Sequence, residues 1–297
     1  MPLKPVIQLI RPEQWAKNLF IFLPLFFNGQ LWNVQMLISC GIAFVAFSFA
    51  ASSIYCFNDI FDAKTDREHP TKSKRPIASG SVSVRVAYMI TAVSFLFALT
   101  IILLFGNESK FYVLGLVLLY YVLNIAYTLI LKKISIIDVM IISMGFVLRI
   151  LVGGTAAGIW LSEWIIIMTF LLALLLAFAK RRDDVVLYEN TGIVMRKNTN
   201  RYNLAFMNQI LSVIAAVTII AYIMYTLSPD VIERFHNRPI YITAVFVLMG
   251  ILRYLQITIV DLKSGNPTKN LYQDVFILFC VLGWIVTFLI IIYFVKG

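Results

Sequence analysis

Asn58, Asp59, Asp62 and Asp66 place an amide and three carboxylates close together in the stretch YCFNDIFDAKTDREHPTKSKRP, positions 55–76. If a helix continues through this stretch, Asn58, Asp62 and Asp66 recur every four residues and share a face, with Asp59 flanking them. Carboxylates one turn apart repel each other, and a divalent cation removes that repulsion. Mg2+ takes hard oxygen ligands, keeps several waters and commonly uses one or two carboxylates together with substrate phosphates. The spacing therefore suits a Mg2+–diphosphate clamp with Asp59, Asp62 and Asp66 as metal ligands. On spacing alone, a solvated and ion-paired loop is the competing reading.

Basic residues surround the motif in sequence. Lys72, Lys74 and Arg75 follow it, Lys132 and Lys133 end a later apolar run, and Lys180, Arg181 and Arg182 end another. A metal–phosphate site needs cations about it, and arginine is the better fork for phosphate. The same residues are also what anchors cytoplasmic helix ends and complements helix C-termini. Asp138 and Arg149 differ from these because both fall inside an apolar run. They are eleven residues apart, close to three helical turns, and so share one face. An ionisable group in a membrane span is costly and faces a cavity or a partner. The functional role is favoured here over a structural ion pair between helices. Tyr127 and Tyr254 lie near cytoplasmic helix ends, within reach of a polar cavity.

The elements that position these groups follow from composition. The chain has 297 residues, 61% hydrophobic and 13% charged, whereas a soluble domain is roughly a quarter charged. This is the composition of an all-α integral membrane protein forming one transmembrane domain, 1–297. About 20 apolar residues cross a bilayer, which places spans near 18–32, 36–57, 85–106, 111–131, 135–157, 163–180, 206–227, 239–258 and 274–295. The first is short and is interrupted at Asn28-Gly29. The apolar run from Leu19 leads into further spans and is expected to be retained rather than cleaved as a signal peptide. A β-barrel is disfavoured because the runs lack period-2 alternation.

Nine spans with the N-terminus in the cytoplasm put 20 of the 25 lysines and arginines on the inner side and 4 on the outer, with Arg149 within a span. That asymmetry is the positive-inside rule, and it turns the loops 58–84, 181–205 and 259–273 to the cytoplasm. It also accounts for the net charge of +10 without a nucleic-acid partner. Cys40, Cys56 and Cys280 lie in apolar runs without metal or disulfide spacing. His69 and His236 are isolated, and no GxxxxGK[ST], HExxH or GxSxG motif is present.

Nine spans with NDxxDxxxD after the second resemble the UbiA superfamily of intramembrane prenyltransferases, over nearly the whole chain. RPEQWAKN (11–18), NDIFDAKTD (58–66), KSKRP (72–76), DVMIISMGFVLR (138–149), AKRRDD (179–184) and RYLQITIVDLKSGNPTKNLYQD (253–274) are most similar to its decaprenyl-phosphate phosphoribosyltransferase branch. The resemblance implies a UbiA-like bundle with a cytoplasm-facing polar cavity, in a bacterial inner membrane, and a place in cell wall biosynthesis. It implies Mg2+-assisted loss of diphosphate followed by capture of the cationic carbon. Aromatic prenyltransferases of the superfamily carry a second DxxxD after the sixth helix. Here Leu187 stands four residues after Asp183 and Tyr188 four after Asp184, and three bases precede the acids. The departure points to a site handling more phosphate, with phosphoribosyl pyrophosphate as donor and a polyprenyl phosphate as acceptor.

In that reading Asp59, Asp62 and Asp66 hold Mg2+ on the donor diphosphate with Asn58 assisting. Lys72, Lys74, Arg75, Lys132, Lys180, Arg181 and Arg182 face phosphate oxygens, and Lys17, Arg149 or both hold the lipid phosphate. Tyr127 and Asp138 complete the substrate-binding set. Self-association into a homo-oligomer is left open. Three other readings compete: a transferase moving a prenyl chain onto an aromatic acceptor, a transporter, and a lipid-binding protein without catalysis. Charges gathered at the cytoplasmic side argue against the transporter, whose substrate groups sit at the midplane.

Overall fold

Asn33, Ser83 and Asn203 each accept a hydrogen bond from the backbone N–H three residues on, at 3.2, 3.4 and 2.8 Å. Such N-caps satisfy a donor that the helix itself leaves orphaned, and here they start three of the long helices. The computed structural model describes residues 3–68, 72–192, 201–236, 238–262 and 273–293. His69, the centre of the loop 181–205, most of the loop 259–273 and the end of the last expected span lie outside the described residues.

All regular elements among the described residues are helical. They are α1 (Leu3–Ile10), a 3-10 segment (Pro12–Phe22), α2 (Leu23–Phe27), α3 (Val34–Arg67), a 3-10 turn (Lys72–Lys74), α4 (Val84–Phe105), α5 (Lys110–Leu129), a 3-10 turn (Leu131–Lys133) and α6 (Ile137–Ala157). Then follow α7 (Glu163–Thr191), α8 (Leu204–Thr226), α9 (Pro229–Arg234), a 3-10 turn (Ile240–Thr243), α10 (Ala244–Ile259) and α11 (Val275–Tyr293). Seven of these helices are long and apolar enough to cross a membrane: α3 to α8, and the stretch Ile240–Ile259 that ends in α10. The last helix is apolar over Val275–Ile291. The protein is thus an all-helical integral membrane protein.

Three boundaries differ from the sequence expectation. The first expected span, 18–32, is a 3-10 segment running into a five-residue α-helix that stops at Asn28. Pro24 sits in the first turn of α2, where a missing N–H costs nothing, and so a second short piece starts within the stretch. The second expected span, 36–57, continues without a break to Arg67. At 34 residues and 1.5 Å per residue, α3 is about 51 Å long, against ~30 Å of hydrocarbon. Its last turns, which carry Asp62 and Asp66, therefore project past the apolar layer. The expected span 163–180 likewise extends to Thr191, so the helix carries Arg181 to Asp184 on its own continuation.

The chain divides into two compact units. The first comprises Met1–Lys132 and Gly145–Leu161, the second Lys133–Met144 and Ser162–Gly297. In the first, α3 is the central helix. Its buried face is dominated by small residues, Ala43, Ala46, Ser48, Ala50, Ala51, Ser52 and Ser53, which let neighbouring backbones approach closely. Ile21, Leu25, Phe47, Ile54, Val117, Tyr120, Leu148 and Val152 complete that core. Gly153 lies so near Ile21 that a Cβ would strike the Ile21 backbone. A satellite cluster of Leu9, Cys56, Ala63, Ile77, Val82 and Ala87 seats α1 against α3. In the second unit Leu175, Phe178, Met207, Leu211, Ile251, Tyr254, Ile257 and Ile277 form the core.

Candidate functional site

The NDxxDxxxD motif occupies the last turns of α3, and the structure brings cations to each of its carboxylates. Arg11 Nη2 donates to both oxygens of Asp59, at 2.6 and 2.7 Å. Arg75 Nη1 donates to Asp59 Oδ1 at 3.1 Å and to Asp66 Oδ2 at 2.7 Å. Lys132 Nζ donates to Asp62 Oδ1 at 2.5 Å. Asn58 hydrogen-bonds through its Oδ1 to the Thr128 hydroxyl on α5. Asp59 is 2% exposed and Asp62 36% exposed, so the motif runs from a dry end to a wet one. The three carboxylates thus face three cations among the described residues.

Two of these cation positions follow from local structure. Arg75 ends a short 3-10 turn, Lys72–Lys74, which folds back beside α3. Arg11 sits between α1 and the following 3-10 segment with φ 54 and ψ 60, the left-handed region that a non-glycine residue seldom adopts. Contacts on both sides fix that turn. Ser52 Oγ donates to the carbonyl of Ile10 at 2.8 Å, the Cys56 thiol contacts the carbonyl of Leu9 at 3.6 Å, and Trp15 Nε1 donates to Ser52 Oγ at 2.9 Å. The Arg11 guanidinium also lies 5.6 Å from the Tyr55 ring centroid.

The donor set fits a hard divalent cation: carboxylates on one helix face, two of them already drawn to a single cationic nitrogen on Arg75. No ready-made cluster of three metal ligands exists among the described residues. The positive charge at the motif is supplied instead by Arg11, Arg75 and Lys132. Of the other bases named from sequence in this unit, Lys17 and Lys72 are half-buried and Lys74 is exposed; Tyr127 is half-buried on α5.

Arg149 lies deep in the first unit, 4% exposed. Its Nε donates to Asn18 Oδ1 at 2.8 Å and its Nη1 to the carbonyl of Gly145 at 2.7 Å. The rings of Phe47, Tyr120 and Phe146 stand 4.9, 5.2 and 5.3 Å from its Cζ. Asn18 is itself fixed by donating to Ser48 Oγ at 2.9 Å. Among the described residues no carboxylate pairs with Arg149. A structural ion pair therefore does not account for it there. Cation–π contacts and two neutral acceptors hold the charge.

In the second unit the bases after the sixth apolar run take a different part. Lys180 is exposed, but Arg181 and Arg182 are buried. Arg181 Nε donates to Asp138 Oδ2 at 2.6 Å, and Asp138 is fully buried. Arg182 donates to Asn208 Oδ1 at 2.7 Å and to the carbonyls of Thr258 and Ile259 at 2.8 and 3.4 Å. Those carbonyls end α10, where a helix leaves acceptors unpaired and favours positive charge. Tyr202 accepts from the N–H of Ile136 at 2.6 Å and fixes the turn that starts α6. Burial pushes the Tyr202 phenol above its ordinary value.

Arg11, Asn18 and Thr128 escaped the sequence reading as site residues. Arg11 and Asp59 are 48 residues apart, and no spacing rule links them. The only available signal was that Arg11 and Asn18 bound the RPEQWAKN stretch.

A helical membrane bundle with a carboxylate motif and facing cations on a long central helix is the frame of an intramembrane transferase acting on phosphorylated lipids. The UbiA prenyltransferase family model matches residues 20–281, and the chain belongs to that family. It is 31% identical over 291 residues to a decaprenyl-phosphate phosphoribosyltransferase of Corynebacterium glutamicum, covering 97% of this chain and 86% of that protein. It is 30% identical over 290 residues to the protein of the same description from Mycobacterium tuberculosis, covering 95% and 92%. Among solved structures, a UbiA homolog from Archaeoglobus fulgidus bound to DMAPP and Mg2+ is similar with a TM-score of 0.72. It is 19% identical, over 97% of this chain and 99% of that one, a likeness of fold.

Proposed function

We propose that the protein transfers a 5-phosphoribosyl group from phosphoribosyl pyrophosphate to a polyprenyl phosphate, releasing diphosphate. The observation that carries this reading is the cationic surround of NDxxDxxxD, with Arg11, Arg75 and Lys132 on its three carboxylates. The sequence of the second acidic segment points the same way: Leu187 and Tyr188 stand where a DxxxD would place its second acid. The full-length likeness to phosphoribosyltransferases supports the same choice over prenyl transfer to a ring.

The donor diphosphate lies at the α3 motif. Asp59, Asp62 and Asp66 are the residues that would hold Mg2+, which when bound neutralises charge developing on the departing diphosphate. Arg11, Arg75 and Lys132 turn from carboxylate to diphosphate oxygens, stabilising the leaving group as the bond from the ribose C1 to its oxygen breaks. An oxygen of the lipid phosphate then forms the new bond to C1. That oxygen is already anionic near neutral pH, so no side chain is needed as a general base. Lys17 and Arg149 orient the lipid head, and the apolar tail lies along the helices. The N-terminus and the motif face the cytoplasm. Cysteine labelling at Ser73 and Asn107 should report opposite sides of the membrane, and labelling of both from one side refutes the orientation.

The test is a purified-protein assay. Phosphoribosyl pyrophosphate and a prenyl diphosphate are each offered with polyprenyl phosphate and with an aromatic acceptor. Label from the ribosyl donor should enter the lipid phosphate. Prenylated ring as the only product would replace this reading with aromatic prenyl transfer.

A further inference from the structure

The α3 carboxylates are not waiting empty for a cation. Asp59, 2% exposed, has both oxygens taken by Arg11 and one of them shared with Arg75; Arg75 also holds Asp66, and Lys132 holds Asp62. Charge-assisted hydrogen bonds of this length are the strong kind. The Arg11 grip is also built at a cost. A non-glycine residue in the left-handed region persists only where its surroundings over-determine it. Here three contacts, Ser52 to Ile10, Cys56 to Leu9 and Trp15 to Ser52, clamp the turn to α3 within two turns of Asp59. The backbone is held so that one guanidinium reaches one carboxylate.

A bare divalent cation entering this cluster gains carboxylate oxygens only by evicting arginine or lysine. The evicted cations would then remain beside the new dication with no added anion. A diphosphate changes the balance, because its oxygens accept from the guanidinium and ammonium groups that release the carboxylates. We propose that Arg11, supported by Arg75, keeps Asp59 closed to metal alone, so that divalent cation and diphosphate are taken up together. This rests on the proposed function in one respect, that a diphosphate is the ligand of the α3 motif. By linkage the coupling is reciprocal: whatever factor diphosphate adds to metal affinity, metal adds to diphosphate affinity.

The experiment is equilibrium dialysis of radioactive manganese against the detergent-solubilised full chain, with and without inorganic pyrophosphate. The parent protein should take up manganese weakly by itself and more tightly with pyrophosphate. Arg11→Gln should bind bare manganese about tenfold more tightly, as expected when one strong competing interaction is removed. The enhancement by pyrophosphate should shrink correspondingly. Arg11→Lys keeps the charge but loses the guanidinium geometry, and should fall between the two. Adding Asp59→Asn to Arg11→Gln should abolish the gain, which places the metal on that carboxylate. Bare-manganese affinity in Arg11→Gln equal to the parent's, with pyrophosphate-supported uptake intact, overturns the proposal. Should Arg11→Gln lose its cooperative thermal transition, Arg11→Lys decides by the same comparison. Failure of the underlying function reads differently: the parent itself would take up no manganese in the presence of pyrophosphate.

Discussion

Asn18 and Arg149 are joined by a hydrogen bond of 2.8 Å from Nε to Oδ1, across 131 residues of chain. The bond sits in the apolar core of the first unit, with the guanidinium carbon over the rings of Phe47, Tyr120 and Phe146. A buried cation with no carboxylate partner among the described residues is in electrostatic deficit, and in the proposed function an anionic lipid head completes it. Arg149→Met removes the charge and keeps an apolar chain. It should unfold within a few degrees of the parent and lose transfer activity by at least about tenfold, the scale of one charged contact. Arg149→Lys should not restore it, because one ammonium cannot reproduce separate donors to Asn18 and to the Gly145 carbonyl. Thermal unfolding and product formation, measured on the same preparations, check both. An active but less stable Arg149→Met takes Arg149 out of the site.

Asp62→Asn leaves shape unchanged while removing the charge that faces Lys132. The pair is partly exposed, so its loss should cost stability no more than about 1 kcal/mol. Product formation should nevertheless fall by about a hundredfold or more, the scale of losing one stabiliser of developing charge, here through its metal, and a chelator should reproduce the loss in the parent. Full turnover in Asp62→Asn with metal removed rejects the metal clamp.

The seven long spans were legible because each is a run of apolar residues long enough to cross a bilayer, and that signal is local. The carboxylate face was legible for the same reason: Asn58, Asp62 and Asp66 follow helical spacing on one element. What could not be read was pairing at a distance. Arg11 meets Asp59, Thr128 meets Asn58, and Arg181 meets Asp138 through packing of separate helices, which periodicity does not encode. The bases of AKRRDD looked like phosphate ligands in sequence, yet Arg181 and Arg182 are buried against Asp138, Asn208 and the end of α10. The failure at 18–32 is also physical. Composition there is that of a span, but a 3-10 segment ends at Phe22 and Pro24 opens a second short element where one helix was expected.

Acid should loosen the end of the second unit. Asp274 accepts from Arg253 at 2.8 Å and caps α11 by accepting from the N–H of Ile277 at 3.0 Å. The hydrogen bonds from Arg253 hold its carboxyl below the ordinary aspartate value. A carboxyl with a depressed folded value contributes stability above the unfolded value, and loses it as pH falls through the folded one. The melting temperature should therefore decline once pH drops below about 4, the unperturbed aspartate range. The Asp274→Asn variant should start lower and show a shallower decline over that window. Parallel curves for the two proteins would remove Asp274 from the acid response.

Asp138 and Arg181 supply the sharpest separation of structure from substrate. Asp138 is fully exposed to neither solvent nor lipid: it is 0% accessible, Arg181 is 3%, and Nε to Oδ2 is 2.6 Å. Breaking a buried pair from one side leaves an uncompensated charge and costs roughly 3–5 kcal/mol, whereas replacing both partners by apolar groups is close to neutral. Arg181→Met, which strands Asp138, should lower the melting temperature steeply; Asp138→Leu should lower it less, because Arg181 keeps Asp184 at 3.4 Å; and the double variant should recover most of the Arg181→Met loss. If the pair only fixes α6 against α7 within this unit, the double variant should also keep a parental KM for phosphoribosyl pyrophosphate. A stable double variant whose KM rises tenfold would return Arg181 to the phosphate-binding set named from sequence. A double variant no more stable than either single one would show that the two charges act independently.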